Sequence, residues 1–354
     1  MVSVNHEVIR SLMCDKYNKK VLNIKQLDGY VDLNYKLEIV DGNSDRTSGY
    51  ETVILKLISD SIETINLQHK IMVYLNDKGV DTCRPVHTVE GKSTCKVGVR
   101  TDQCKDSVSE ELACVLTYIP GITVRCAGHP AGLMEEFGRF AGRVDKLLLH
   151  FEQDNLQYTD TIWELSQTSK LEALIEKYCT KDVKELGMNI ISGFRKDILP
   201  VLASFQKGYI HGDLNDCNFI VTQTTTDADK YTISGLIDYG DVCVSFYIYE
   251  IAALMADMMS VCRKKQHPLE VGKLILMGFM QEFELNSVEL KCLRLVICVR
   301  MVQFYVFGAE IIENDPSNEY AKLDRDDYLE MCKYLWEIGD ERFKHEVLDE
   351  KMVK

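Results

Sequence analysis

Residues 211–221 read HGDLNDCNFIV, and residues 235–242 read GLIDYGDV. Both stretches set short acids and amides beside strand-like apolar runs, where an unpaired carboxylate is expensive. Something cationic has to compensate them, and a metal ion is the first candidate. Between them, NFIVT (218–222) and YTISGLID (231–238) flank the polar loop QTTTDADK (223–230), a pattern that predicts a β-hairpin. The acids therefore stand at the ends of short strands.

Around this hairpin the texture is helical. AGLMEEFGRFAGRVDKLLLHF (131–151) and VKELGMNIISGFRKDILPVLASF (183–205) repeat apolar residues every three to four positions. Residues 244–261, 267–283 and 286–304 read as three further helices, the last opened by the capping box Asn286 and Glu289. Upstream, NYKLEIV (34–40) and YETVILKLI (50–58) alternate with period two across the polar turn 41–49 and predict another hairpin, with Lys56 inside its second strand. A helix over 61–79 stopping at Gly79 follows, then two weaker strand candidates, then LACVLTYIPG (112–121), a strand ending in a Pro-Gly turn. The expectation is an α+β, bilobal, protein-kinase-like fold: a small antiparallel-sheet lobe over 1–121 and a larger, mainly helical lobe over 122–354.

Composition narrows the function. With 46% hydrophobic and 27% charged residues the chain is ordinary for a globular protein. A net charge of −14 without any Lys/Arg stripe argues against nucleic acid and anionic lipid as partners, and suits a small cationic ligand. The 13 cysteines are scattered without zinc spacing, which reads as reduced thiols in a cytoplasmic protein. No leader peptide is visible in the first twenty residues. The apolar run 293–312 carries Arg294, Arg300, Gln303 and Glu310, so a buried helix is expected there and not a membrane span. Oligomeric state leaves no mark.

Phosphoryl transfer requires a carboxylate to orient a hydroxyl nucleophile, oxygen ligands for Mg2+ and a lysine on the nucleotide phosphates. The spacing from Asp213 to Asn218 matches the D-L-x-x-x-N of the kinase catalytic loop, Asp238 stands where D-F-G has its acid, and Lys56 in VILKL matches V-A-I-K. Isolated loop acids usually make turns, and a strand lysine usually reaches water. It is the common order and setting of these residues that favours a site.

His-Gly-Asp in place of His-Arg-Asp, and the second acid of IDYGD, resemble the aminoglycoside phosphotransferase and choline kinase group of small-molecule kinases, from about Lys16 through the last helices. Within that group the chain is most similar to the hydroxylysine kinase family, on HGDLNDCNFIV, SGLIDYGDVCVSFYIYEIA (234–252), LTYIPG (116–121), and AGRVDKLLLHF (141–151) followed by IWEL (162–165). The resemblance implies transfer of a GTP γ-phosphate to the side-chain hydroxyl of 5-hydroxy-L-lysine in lysine breakdown. Asp213 would accept or orient the hydroxyl proton, Asn218 and Asp238 would hold Mg2+, and Lys56 would meet the phosphates. Gly29 and Asn34, in LDGYVDLNY (27–35), would contact phosphate as well, and the backbone of Thr117, Tyr118 and Ile119 would take the base, ATP or GTP.

Other positions stay open. Asp241 either orients the site or meets the substrate ammonium. Arg300 is either a salt-bridge partner, to Glu250 or another acid, or a clamp for an amino-acid carboxylate. His211 is expected to brace the loop, Asp216 to make a turn or cap, and Glu250 to be structural. Two departures stand out: the helix that should offer Lys56 an acid has Asn66 and Gln68 there, with Glu63 a turn earlier, and Cys217 replaces a common His. Choline, ethanolamine, homoserine or aminoglycoside kinases, and a catalytically silent nucleotide-binding scaffold, are the rival readings.

Overall fold

The period-two segments do form strands, and a helix absent from the sequence expectations precedes them. In this α1 (His6–Tyr17), the Asn5 side chain accepts from Glu7 N, and Asn18 closes the helix at φ 52°. The computed structural model describes residues 4–27, 32–42, 49–58, 60–99, 109–151, 165, 168–224, 230–316, 318 and 322–348. Two units divide the chain, Met1–Ile119 and Pro120–Lys354.

In the first unit, strands β1 (Lys19–Leu27), β2 (Leu33–Asp41), β3 (Glu51–Ile58), β4 (Pro85–Val86), β5 (Cys95–Val99) and β6 (Ser109–Thr117) make one sheet. Its order is β1-β2-β3-β6-β4, with β5 also on β6, and every pairing is antiparallel. Alternation sorts the two faces. Tyr35, Leu37, Val53, Leu55, Ala113 and Val115 are buried in one cluster with Ile9 and Met13 of α1. Neighbouring positions on the other face line up as Asn34, Lys56 and Cys114, and as Lys36, Ile54 and Leu116. Helix α2 (Ile62–Asp77) starts at the Ser61 cap and ends just before Gly79, whose φ of 79° suits a residue past a helix end.

The second unit is mainly helical, with α3 (Met134–Leu148), α4 (Thr168–Tyr178), α5 (Lys181–Gly193), α6 (Tyr247–Cys262), α7 (Pro268–Glu282), α8 (Ser287–Asn314) and α9 (Arg325–Val347). Helices α3 and α7 cross at glycines: a Cβ on Gly138 would lie 1.8 Å from the Ile275 carbonyl oxygen, and one on Gly278 1.9 Å from that of Glu135. Helix α8 carries the expected capping box. It is long and apolar enough to cross a membrane, yet 67% of its most apolar window is buried inside the protein, as a core helix would be.

Two sequence expectations are corrected here. Helix α5 does not run to Phe205: it gives way to a π turn (Phe194–Ile198) and a 3-10 turn (Leu199–Ser204), where Pro200 has no N–H to continue the α pattern. The stretch read as one helix from Val244 begins as a strand. Of β7 (Ile122–Thr123), β8 (Lys207–Ile210), β9 (Phe219–Gln223), β10 (Tyr231–Leu236) and β11 (Cys243–Phe246), only the β9–β10 hairpin is evident from the sequence. The others owe their form to pairing, β7 with β9 and β11 with β8. Those pairings position the site, because the loop 211–218 joins β8 to β9 and the loop 237–242 joins β10 to β11. The architecture is α+β with a protein-kinase-like division of sheet and helices.

Candidate active site

The loop 211–218 is fixed from below by Glu250 of α6. Its fully buried carboxyl accepts from His211 N at 3.0 Å and from Gly212 N at 2.8 Å. Burial pushes the Glu250 carboxyl up to about 7, against the pull of those two N–H groups and of Arg300. His211 Nε2–H donates to the Ile237 carbonyl (3.1 Å), and the ring packs edge-on against Tyr239, with 4.7 Å between ring centroids. Burial lowers its pKa, while Asp213 and Asp238 oppose the shift, so both acids lie within electrostatic reach of the ring.

Gly212 explains the departure from His-Arg-Asp. Its φ is +84°, and a Cβ there would sit 2.3 Å from the Asp241 carbonyl oxygen. The two acid-bearing loops thus touch backbone to backbone, and the Ile237 N–H donates to the Asn218 carbonyl at 3.0 Å.

Asp213 is the most heavily bonded group of the loop. Its Oδ2 accepts from Asn215 Nδ2 and Asn218 Nδ2, both at 2.9 Å, and its Oδ1 lies 3.3 Å from Arg300 Nη2. Asn218 Nδ2 also donates to the Asp213 carbonyl at 2.8 Å, so its amide oxygen Oδ1 is the atom that could ligate a cation. Asp238 is exposed and held at a φ of +62°, a region that aspartate tolerates better than most residues. One amide oxygen and one exposed carboxylate suit Mg2+, which keeps several waters and takes phosphate oxygens as further ligands. Among the described residues, no group of three or more His, Cys, Asp and Glu forms a cage for a tightly held metal. Arg300 meets Asp213 and, at 3.0 Å, Gln303 Oε1.

Asp216 does more than make a turn. It is 1% exposed, its Oδ1 accepts from Arg125 Nη2 at 3.0 Å and its Oδ2 is 2.6 Å from His129 Nε2. Its N–H donates to Asp257 of α6 (2.8 Å), whose other oxygen accepts from Tyr328 of α9 (2.7 Å). Burial, and then Asp216, raise the Asp257 carboxyl well above its ordinary range. Arg125 also reaches Asp324 and donates Nε–H to Cys217 Sγ at 3.1 Å. Sequence reasoning missed these partners, since only their side chains' meeting gives them a role.

In the first unit, Lys56 pairs with Asp32, Nζ to Oδ2 3.4 Å. Asn34 lies beside Lys56 on β2 and donates weakly to the Asp32 carbonyl. Gly29 falls outside the described residues. The Thr117 N–H is committed to the Arg84 carbonyl (2.9 Å), and Lys36 Nζ stands 4.1 Å over the Tyr118 ring. Ile119 ends this unit.

The first unit is an antiparallel sheet bearing Lys56, and the helical second unit bears a braced Asp213, Asn218 and an exposed Asp238. The chain belongs to the phosphotransferase enzyme family, whose model matches residues 26–274, and it is a phosphotransferase acting on a hydroxyl acceptor. Among curated proteins it is similar to the hydroxylysine kinase of Xenopus laevis, 28% identical over 314 residues that cover 86% of this chain and 82% of the relative. The hydroxylysine kinase of Mus musculus is 27% identical over 329 residues, 90% and 86% of the two chains. Among solved structures, an amicoumacin kinase in complex with AMP-PNP, Ca2+ and Ami shares the fold, with a TM-score of 0.65 at 17% identity over 92% of this chain and 94% of that one.

Proposed function

We propose that the chain transfers the γ-phosphate of GTP to the side-chain hydroxyl of 5-hydroxy-L-lysine, in lysine degradation, with Mg2+ as cofactor. The observation that carries the chemistry is Asp213, fixed through both carboxyl oxygens by Asn215, Asn218 and Arg300. Such a carboxylate can accept or orient the acceptor's proton as the oxygen attacks phosphorus. Asn218 and Asp238 would hold the magnesium, which when bound neutralises developing phosphate charge. Lys56 would take the phosphates with Asn34 and Gly29, and the backbone of Thr117, Tyr118 and Ile119 the base. The substrate and donor rest on the resemblance to hydroxylysine kinases at 25–29% identity.

Arg300 and Asp241 would recognise the amino-acid ends of the acceptor. A guanidinium beside the base favours an acceptor that carries a carboxylate over choline, which has none. The free cysteines found among the described residues suit a reducing cytoplasm.

The test is nucleotide consumption over hydroxylysine, homoserine, choline, ethanolamine and an aminoglycoside, each with GTP and ATP, with and without Mg2+. Stimulation by hydroxylysine with GTP and loss of activity with EDTA are expected. Stimulation by choline alone would move the chain to another substrate class, and nucleotide binding without any stimulation would make it a silent scaffold.

A further inference from the structure

We propose that Asp32, on the β2 side of the sheet, is the positioning residue of Lys56, the task that kinase-like proteins assign to a helix acid. The inference rests on the phosphoryl-transfer reading of Lys56.

The helix offers no buried acid for it. Helix α2 has two acids, Glu63 and Asp77, and both are exposed. Asp77 is paired with Arg84 Nη2 at 2.8 Å. The polar residues that α2 buries are Gln68 and His69. The Gln68 amide donates to Asp60 at 3.3 Å. Burial, then His87 and Lys56, lower the His69 imidazole to about 4, so it is neutral at physiological pH. Its Nδ1 has no hydrogen-bond partner. A neutral ring within reach of Lys56 supplies no counter-charge.

Asp32 does supply it. The Lys56 and Asp32 side chains are 12% and 21% exposed, so solvent screens their 3.4 Å pair less than it would a surface pair. Register adds a reason: Lys56 lies between Asn34 on β2 and Cys114 on β6, and Asp32 is two residues before Asn34. The acid therefore reaches the lysine from the residue just before β2, with no helix needed. An ammonium has three donors, so one can stay on Asp32 while others meet phosphate oxygens.

The experiment uses the full chain with Asp32→Asn, Asp32→Glu, Lys56→Met and Asp32→Asn/Lys56→Met, read by steady-state kinetics, equilibrium binding of a fluorescent nucleotide, and thermal melting. Asp32→Asn is expected to lower kcat/KM for nucleotide by about ten- to hundredfold while acceptor KM and melting temperature hold. Asp32→Glu should recover part of the loss. In the Lys56→Met background, Asp32→Asn should change nucleotide affinity by less than about twofold, since the lysine it acts through is gone. An unchanged kcat/KM, tighter nucleotide binding in Asp32→Asn, or an equal loss with Lys56 absent would overturn the proposal. Should Lys56→Met itself leave turnover and nucleotide affinity intact, the reading of Lys56 fails, and the positioning role fails with it.

Discussion

Arg300, 6% exposed in the middle of α8, directs Nη2 to Asp213 Oδ1 at 3.3 Å and Nη1 to Gln303 Oε1 at 3.0 Å. A hydrogen bond to a charged group contributes about 1.5–3 kcal/mol. Arg300→Met should therefore reduce kcat/KM for the acceptor by about ten- to hundredfold, with Arg300→Lys intermediate. Kinetics alongside melting curves separate the possibilities: a rise in acceptor KM supports a carboxylate clamp, and lost stability with KM unchanged restricts Arg300 to a structural ion pair.

Asp213→Asn keeps the shape of the side chain and one acceptor for Asn215 and Asn218, but removes the basic oxygen. Turnover should drop by about 10²–10⁴. Circular dichroism and the melting temperature should stay close to wild type. A variant with near-normal turnover would remove Asp213 from the chemistry.

How far the letters alone reach differs between these residues. Asp213, Asn218 and Asp238 stand out as candidates in the letters because phosphoryl transfer needs particular side chains at short spacings, and the structure puts them in loops that strands bracket. Asp216 reads as a turn residue, since its partners Arg125 and His129 lie 91 and 87 positions away and only the folded loop brings them to it. The link from Asp32 to Lys56 depends on strand register, which periodicity does not fix. Val244 and Phe246 continue an apolar run that suits a helix equally well, and it is pairing with Lys207–Ile210 that makes them strand.

Gly212→Ala tests whether the contact between the two loops sustains the site. The added methyl meets the Asp241 carbonyl oxygen at 2.3 Å, and the left-handed φ of +84° is itself unfavourable for alanine. Strain of about 1–2 kcal/mol from backbone conformation alone, with the clash added, should lower the melting temperature measurably. Because Asp213 is the next residue, turnover of the protein that remains folded should fall as well. Wild-type activity and stability together would mean that the loops tolerate separation.

Asp145 of α3 is fully buried, and neither carboxyl oxygen has a hydrogen-bond partner. Burial, and then the neighbouring Glu250, raise it well above its ordinary value of 3.8. Tyr247 lies within reach of both acids, and Arg300 and Asp213 within reach of Glu250. The sign follows from proton counting. As pH rises past 3.8 the unfolded chain releases the Asp145 proton while the folded chain keeps it, so the native state binds more protons and stability falls with pH. Glu250 contributes the same slope between 4.5 and about 7. Asp145→Asn keeps position 145 neutral at every pH and leaves the Glu250 slope in place. Any fixed effect of the new amide shifts all points alike. The melting temperature of the variant minus that of wild type should therefore become more positive from about pH 5 to about pH 8. A difference independent of pH would show that the buried Asp145 carboxyl does not titrate differently in the folded chain.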